Sequence, residues 1–153
     1  MRFKVPLTMK NILAICGSIK ARSSQQLYLN ALEKLLPEDY KLSRYPSISI
    51  LPHFNPDLNL QTVPPEVEKI RKQIVQADGV LICTPEYAMG IPGSLKNVLD
   101  WSVSSASFSK KPVLALVASV QGEKAYQSLI DVLTVIEVKV SPLLISFAKS
   151  KIN

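Results

Sequence analysis

Three short segments of this 153-residue chain carry the residue types from which a binding site is built. Gly17-Ser-Ile-Lys-Ala-Arg-Ser-Ser-Gln25 offers a glycine for a tight turn, three hydroxyls that donate hydrogen bonds, and positive charge at Lys20 and Arg22. A helix starting behind it presents free N–H groups and the positive end of its dipole. That combination describes a phosphate cradle, with a ligand-free serine-rich helix cap as the plainer alternative. The spacing is neither Gly-x-Gly-x-x-Gly nor a Walker A loop, which disfavours a Rossmann dinucleotide site and a P-loop nucleotidase. Thr84-Pro-Glu-Tyr-Ala-Met-Gly90 and Ser119-Val-Gln-Gly122 are the other two segments, both unusual in composition for plain connectors.

Counting excludes other chemistries. The single histidine, His53, sits in the proline-rich stretch Leu51-Pro-His-Phe-Asn-Pro56 and reads as a loop residue, so a Ser-His-Asp hydrolase has little to stand on. With Cys16 and Cys83 the only cysteines, His/Cys zinc sites and disulfide scaffolds lack ligands, and no metal is expected. Eighteen Lys and Arg against 12 Asp and Glu give +6, which suits an anionic small molecule as well as an ordinary solvated surface. No Lys/Arg cluster marks a nucleic-acid stripe. The longest uncharged apolar stretch, 112–120, is too short to span a bilayer, and residues 1–10 lack the apolar core of a signal peptide. Both cysteines fall in apolar strand-like runs, as reduced thiols do, so a cytoplasmic protein without membrane or nucleic-acid partners is expected.

The elements that must position these segments alternate. Apolar runs at 11–16, 79–83 and 112–119 read as buried strands, the last as a central one, and Val138 to Phe147 as a fifth strand. Tyr40 to Ile50 alternates weakly and reads as an edge strand. Helical spacing covers Ser23 to Leu36, with Ser23 or Ser24 as cap and Pro37 as stop. Three more helices follow: one carrying Val67, Ile70 and Ile74, one opened by Pro92, and one over about 123–136. A Pro/Asn-rich loop spans 51–65. Strands that are apolar throughout, alternating with helices, indicate a doubly wound α/β sandwich around a parallel sheet. Ligands bind such sheets beyond the carboxyl ends of the strands, where all three segments lie.

The stretch Pro85-Glu-Tyr, Pro92-Gly, Leu95-Lys-Asn and Asp100-Trp101 resembles the signature of the NAD(P)H-dependent FMN reductase family, whose relatives include azo-, quinone- and chromate-reducing flavoproteins. The first segment resembles that family's Gly-Ser-x-Arg-x-x-Ser-x-Asn motif at Gly17, Ser18 and Ser23, and the likeness extends from about residue 11 to 146. It implies a flavodoxin-like three-layer sandwich, five parallel strands in the order 2-1-3-4-5, forming a single FMN-binding domain over 1–153 with residues 1–10 as an N-terminal extension. It implies that Ser18, Lys20, Ser23 and Gln25 hold the FMN phosphate. Pro85, Glu86, Tyr87, Ala88 and Met89 would border the isoalloxazine, largely through main-chain groups, with Ser119, Gln121 and Gly122 closing its other side. Lys96, Asn97, Asp100 and Trp101 would be structural, tying their helix to the loop and to a partner subunit.

Three positions depart from the family pattern. Lys20 replaces Arg, a point charge for a bidentate fork, and Arg22 stands two residues on. Gln25 replaces Asn, one methylene longer, and Ala88 replaces Asn, deleting a polar side chain beside the ring. The implied activity passes hydride from NADPH or NADH through FMN to a flavin, quinone, azo compound or similar small acceptor, and needs no side-chain catalytic group. A flavodoxin-like electron carrier and a non-catalytic family member are the competing readings. A flavodoxin-like unit closes with a helix after the last strand, and Ala148 to Asn153 are too few for one. The uncovered apolar surface implies a homodimer or homotetramer.

Overall fold

The structure is a computed structural model, and it describes residues 8–146. Five parallel strands, β1 (Lys10–Cys16), β2 (Tyr40–Arg44), β3 (Gly79–Thr84), β4 (Pro112–Ser119) and β5 (Lys139–Ser146), form one sheet in the order β2-β1-β3-β4-β5. This is the flavodoxin-like order expected from the sequence. β3 lies at the centre and every residue of it is buried, which is why its sequence is apolar without alternation. Helices α1 (Ser24–Leu35), α2 (Pro56–Gln61), α3 (Pro65–Gln76), α4 (Gly93–Val103) and α5 (Glu123–Val135) make the connections.

The sheet divides the core in two. Leu13, Ile15, Val80, Ile82, Val113 and Val117 face the larger cluster with Val67, Ile70, Ile74, Leu95, Leu99 and Leu129, while Ala14, Leu81, Cys83 and Leu116 face a smaller one with Leu29. No helix among the described residues is long and apolar enough to cross a membrane.

Two expectations are corrected. The edge strand expected over Tyr40–Ile50 ends at Arg44, because Pro46 cannot donate to the ladder and Ser47 caps a 3-10 turn at Ile48–Ile50 by accepting from Ser49 N. The 51–65 loop contains a short helix, α2, whose Asn55 cap accepts from Asp57 N at 2.9 Å and whose first residue is Pro56. The expectation that 148–153 are too short for a closing helix lies outside the described residues.

Tyr45 follows β2 and is buried, with its main-chain N–H on the carbonyl of Ala14 at 2.9 Å. Its hydroxyl is buried with no hydrogen-bond partner among the described residues, and burial, with Glu66 as a smaller cause, pushes its pKa up. An orphaned donor costs the desolvation that its absence would spare. Tyr45→Phe is therefore expected to stabilise the fold by roughly 1 kcal/mol, read from denaturant midpoints. A loss of stability would show that the hydroxyl has a partner.

Candidate functional site

The β1–α1 turn begins on Gly17, whose N–H donates to the carbonyl of Cys83 at 2.8 Å. A Cβ at Gly17 would stand 2.4 Å from Thr84 Oγ1 and 2.6 Å from Thr84 Cβ, so only glycine lets this turn lie on the end of β3. Ser94, in the first turn of α4, donates its hydroxyl to the Gly17 carbonyl at 3.4 Å. Ser18 Oγ accepts from Lys20 N at 3.3 Å and shares a hydrogen bond with Tyr87 Oη at 3.2 Å. The first and second segments are thereby joined through residues that both motifs supply.

Ser23 is the N-cap of α1 and is buried, but its hydroxyl caps no helix N–H, and the first turn holds no acidic residue. Lys20 and Arg22 are exposed beside it. The N-terminus of α1 thus keeps its positive character. The side chain of Gln25 is placed differently. Its amide Nε2 donates to the carbonyl of Ala118 at 3.0 Å and the residue is 2% exposed, so it ties α1 to the end of β4. The extra methylene relative to Asn supplies that reach.

In the second segment Tyr87 and Gly90 exchange main-chain hydrogen bonds of 2.9 and 3.0 Å around Ala88 (φ 48°) and Met89 (φ 61°). Two left-handed central residues are the pattern of a type I′ turn, which normally takes Asn and Gly. The turn's two hydrogen bonds use neither central N–H. Pro85 is buried, whereas Tyr87, Ala88 and Met89 are exposed at the tip. Glu86 Oε2 accepts from Lys124 N at 3.1 Å and Ala125 N at 2.9 Å, so its carboxylate caps α5.

The third segment ends against the same helix. Ser119 is the half-buried last residue of β4, Gln121 is exposed, and Gly122 is buried at φ 151°. The positive φ is what calls for glycine at 122; a Cβ there would also stand 2.8 Å from Leu144 Cδ1, the mobile end of that side chain. No group of three His, Cys, Asp or Glu among the described residues could hold a metal.

The rest of the motif braces α4. Asn97 accepts from Phe54 N at 2.8 Å and donates to the Pro52 carbonyl at 2.9 Å, to which Trp101 Nε1 donates at 2.8 Å. Trp101 is fully buried, with Phe54 edge-on at 5.1 Å, and its carbonyl accepts from Arg71 Nε at 2.9 Å. Burial lowers the Arg71 pKa, against a smaller opposing effect of Glu68. Lys96 pairs with Asp100 on the exposed face. Sequence reasoning missed Ser94, the anchoring of Glu86 on α5 and the left-handed turn. A serine in the first turn of α4 was the available signal for the first of these.

The strain in that turn is testable. Asn tolerates left-handed φ where Ala does not, so Ala88→Asn is expected to stabilise the protein by about 0.5–1 kcal/mol, and the β-branched Ala88→Val to destabilise it by at least as much. Thermal unfolding that orders the variants otherwise would remove the left-handed assignment.

The chain matches the NADPH-dependent FMN reductase family over residues 10–150. It is 34% identical over 111 residues to a quinone reductase of Escherichia coli K12, and 36% identical over 110 residues to an NAD(P)H-dependent FMN reductase of Pseudomonas aeruginosa. Each alignment covers 71% of this chain and 59% of the relative, so the chain spans about three fifths of their length. Among solved structures it resembles the flavoenzyme NAD(P)H:(acceptor) oxidoreductase FerB of Paracoccus denitrificans, with a TM-score of 0.78 and 27% identity. That match covers 86% of this chain and 75% of the other.

Proposed function

The chain belongs to the NADPH-dependent FMN reductase family, and from that membership we propose that it binds FMN and moves hydride from NADPH or NADH to a small acceptor such as a flavin, quinone or azo compound. The observation that carries this reading is the Ser18–Tyr87 contact, which brings the two motif-bearing loops together beside an α1 N-terminus with no side-chain cap. The names of the Escherichia coli and Pseudomonas aeruginosa relatives support the acceptor and co-substrate classes.

The residues fit the group. Ser18, Lys20 and Ser23 would hold the phosphate with the main-chain N–H groups of Ser24 and Gln25, which begin α1 and have no acceptor within the helix. The Gln25 side chain, held by the Ala118 carbonyl, anchors the first turn of α1 to the end of β4. Pro85, Glu86, Tyr87, Ala88 and Met89 would border the ring through their main chain, opposite Ser119, Gln121 and Gly122. Tyr87 and Met89 would shape the acceptor side. When bound, FMN supplies the hydride chemistry, and no side-chain acid, base or nucleophile is assigned.

The chain is read as a single FMN-binding domain over residues 1–153, with 1–10 as an extension. A reducing compartment such as the cytoplasm suits the free thiols of Cys16 and Cys83. A homodimer or homotetramer is part of the same reading, supported by an apolar groove of about 280 Å³ that includes Leu32, Leu36, Leu42 and Leu114, and by Leu143, 43% exposed on the edge strand β5. Light scattering coupled to gel filtration is expected to give at least a dimer, and a stable monomer would overturn it.

Purified protein is expected to be yellow or to become so on adding FMN, to bleach anaerobically with NADPH or NADH, and to regain colour with a quinone. Colour without bleaching would make it an electron carrier, and failure to take up FMN would remove both readings. Ser18→Ala with Ser23→Ala is expected to raise the FMN Kd roughly a hundredfold, two hydrogen bonds to a charged group being lost. An unchanged Kd would refute the phosphate assignment.

A further inference from the structure

Cys16 and Cys83 are register partners on the adjacent parallel strands β1 and β3. Paired positions of a parallel ladder project from the same face, with strands about 4.8 Å apart, inside the roughly 4.4–6.8 Å Cα separation that disulfides use. Both side chains pack in the cluster under α1 with Ala14, Leu29 and Leu81.

The two thiols also support one segment. Cys16 Sγ donates to the Ser18 carbonyl at 3.4 Å and lies 3.9 Å from Ser23 Oγ. Cys83 Sγ approaches the Gln25 carbonyl at 3.8 Å. Reduced sulfur thus sits beneath both ends of the 18–25 stretch. The thiols differ in access: Cys16 is half-buried and lines a cavity of about 260 Å³ with Ser18, Lys20 and Tyr45, while Cys83 is fully buried. Burial, and to a lesser degree Cys16, pushes the Cys83 thiol up to about 12, so an oxidant in solution meets Cys16 first.

We propose that Cys16 and Cys83 are a peroxide-oxidisable dithiol whose disulfide loosens residues 18–25 and weakens FMN binding. The link to FMN rests on the function proposed above, whereas the disulfide and the loosening do not. The Cys16 thiolate attacks the peroxide, the O–O bond breaks, and sulfenic acid forms as hydroxide leaves and is protonated. The Cys83 thiol then attacks the Cys16 sulfur, the S–O bond breaks, its proton leaves with the oxygen as water, and S–S forms. Two thiols are oxidised and one hydrogen peroxide is reduced to two waters. A dithiol reductant reverses the step. In the disulfide neither sulfur retains the S–H that met the Ser18 and Gln25 carbonyls.

The reduced full chain, treated with hydrogen peroxide, is expected to lose about 2 Da and both titratable thiols, with recovery in dithiothreitol. Amide hydrogen exchange across 18–25 is expected to quicken, and the FMN Kd to rise about tenfold. Cys16→Ser is expected to abolish the mass loss and make exchange and Kd indifferent to peroxide. Oxygen adducts, disulfide-linked chains, retained thiols, or a disulfide with unchanged exchange or Kd would each overturn the proposal. Reduced protein that takes up no FMN but shows the mass loss and faster exchange would refute the function and leave the dithiol standing.

Discussion

The close approach of the β1–α1 turn to the end of β3 is the contact on which the carboxyl edge of the sheet depends. Gly17 and Thr84 follow register-paired residues, Cys16 and Cys83, and the missing Cβ is what lets the turn fold flat against the threonine. Thr84 is itself fully buried, with its hydroxyl on the Pro85 carbonyl at 3.2 Å, so it has nowhere to retreat. From that contact the chain leaves in two directions, one loop carrying Ser18 and the other Tyr87, and their side chains meet because their origins do. A displacement the size of one methyl group here would separate them.

Much of this arrangement was legible. The strand runs at 11–16, 79–83 and 112–119 could only be buried, since nothing polar interrupts them, and that fixed both the parallel sheet and the edge where ligands bind. What the sequence concealed were assignments that depend on where a side chain's partner lies in space. Gln25 reads as a polar group at a helix start, but its amide serves a carbonyl 93 residues away. Glu86 reads as part of a loop motif, yet caps a helix that begins 37 positions later, at Glu123. Ala88 and Met89 favour no left-handed backbone of their own, so their turn comes from its anchors and not from local propensity. The helix at Pro56 was announced by Asn55-Pro56 and hidden by the surrounding prolines.

The excess of positive charge gains detail in the same way. Lys111 directs its ammonium to the carbonyls of Val75 and Ala77 at the end of α3, Arg44 pairs with Glu33, and Lys96 with Asp100. Arg71 supports Trp101 from within. These cations are occupied with helix ends or carboxylates, and each is worth little as a long-range field. Lys20 and Arg22 are exposed on a turn that faces a helix N-terminus, where their charge adds to the dipole instead of cancelling an acid.

The second loop shows how an exposed tip is held in an unfavourable backbone. Left-handed conformation costs a non-glycine residue roughly 1–2 kcal/mol, and Ala88 and Met89 adopt it in succession. Such strain persists only where the surroundings over-determine the path. Here they do: Pro85 is buried, Glu86 is fixed to two amides of α5, Tyr87 is bonded to Gly90 twice and to Ser18 once, and Pro92 is buried at the start of α4. Two exposed side chains therefore ride on a backbone whose own N–H groups are directed by its anchors. The path of the tip is thus set by main-chain anchors on either side of it, and a change of side chain at position 88 acts on the turn through its backbone preference.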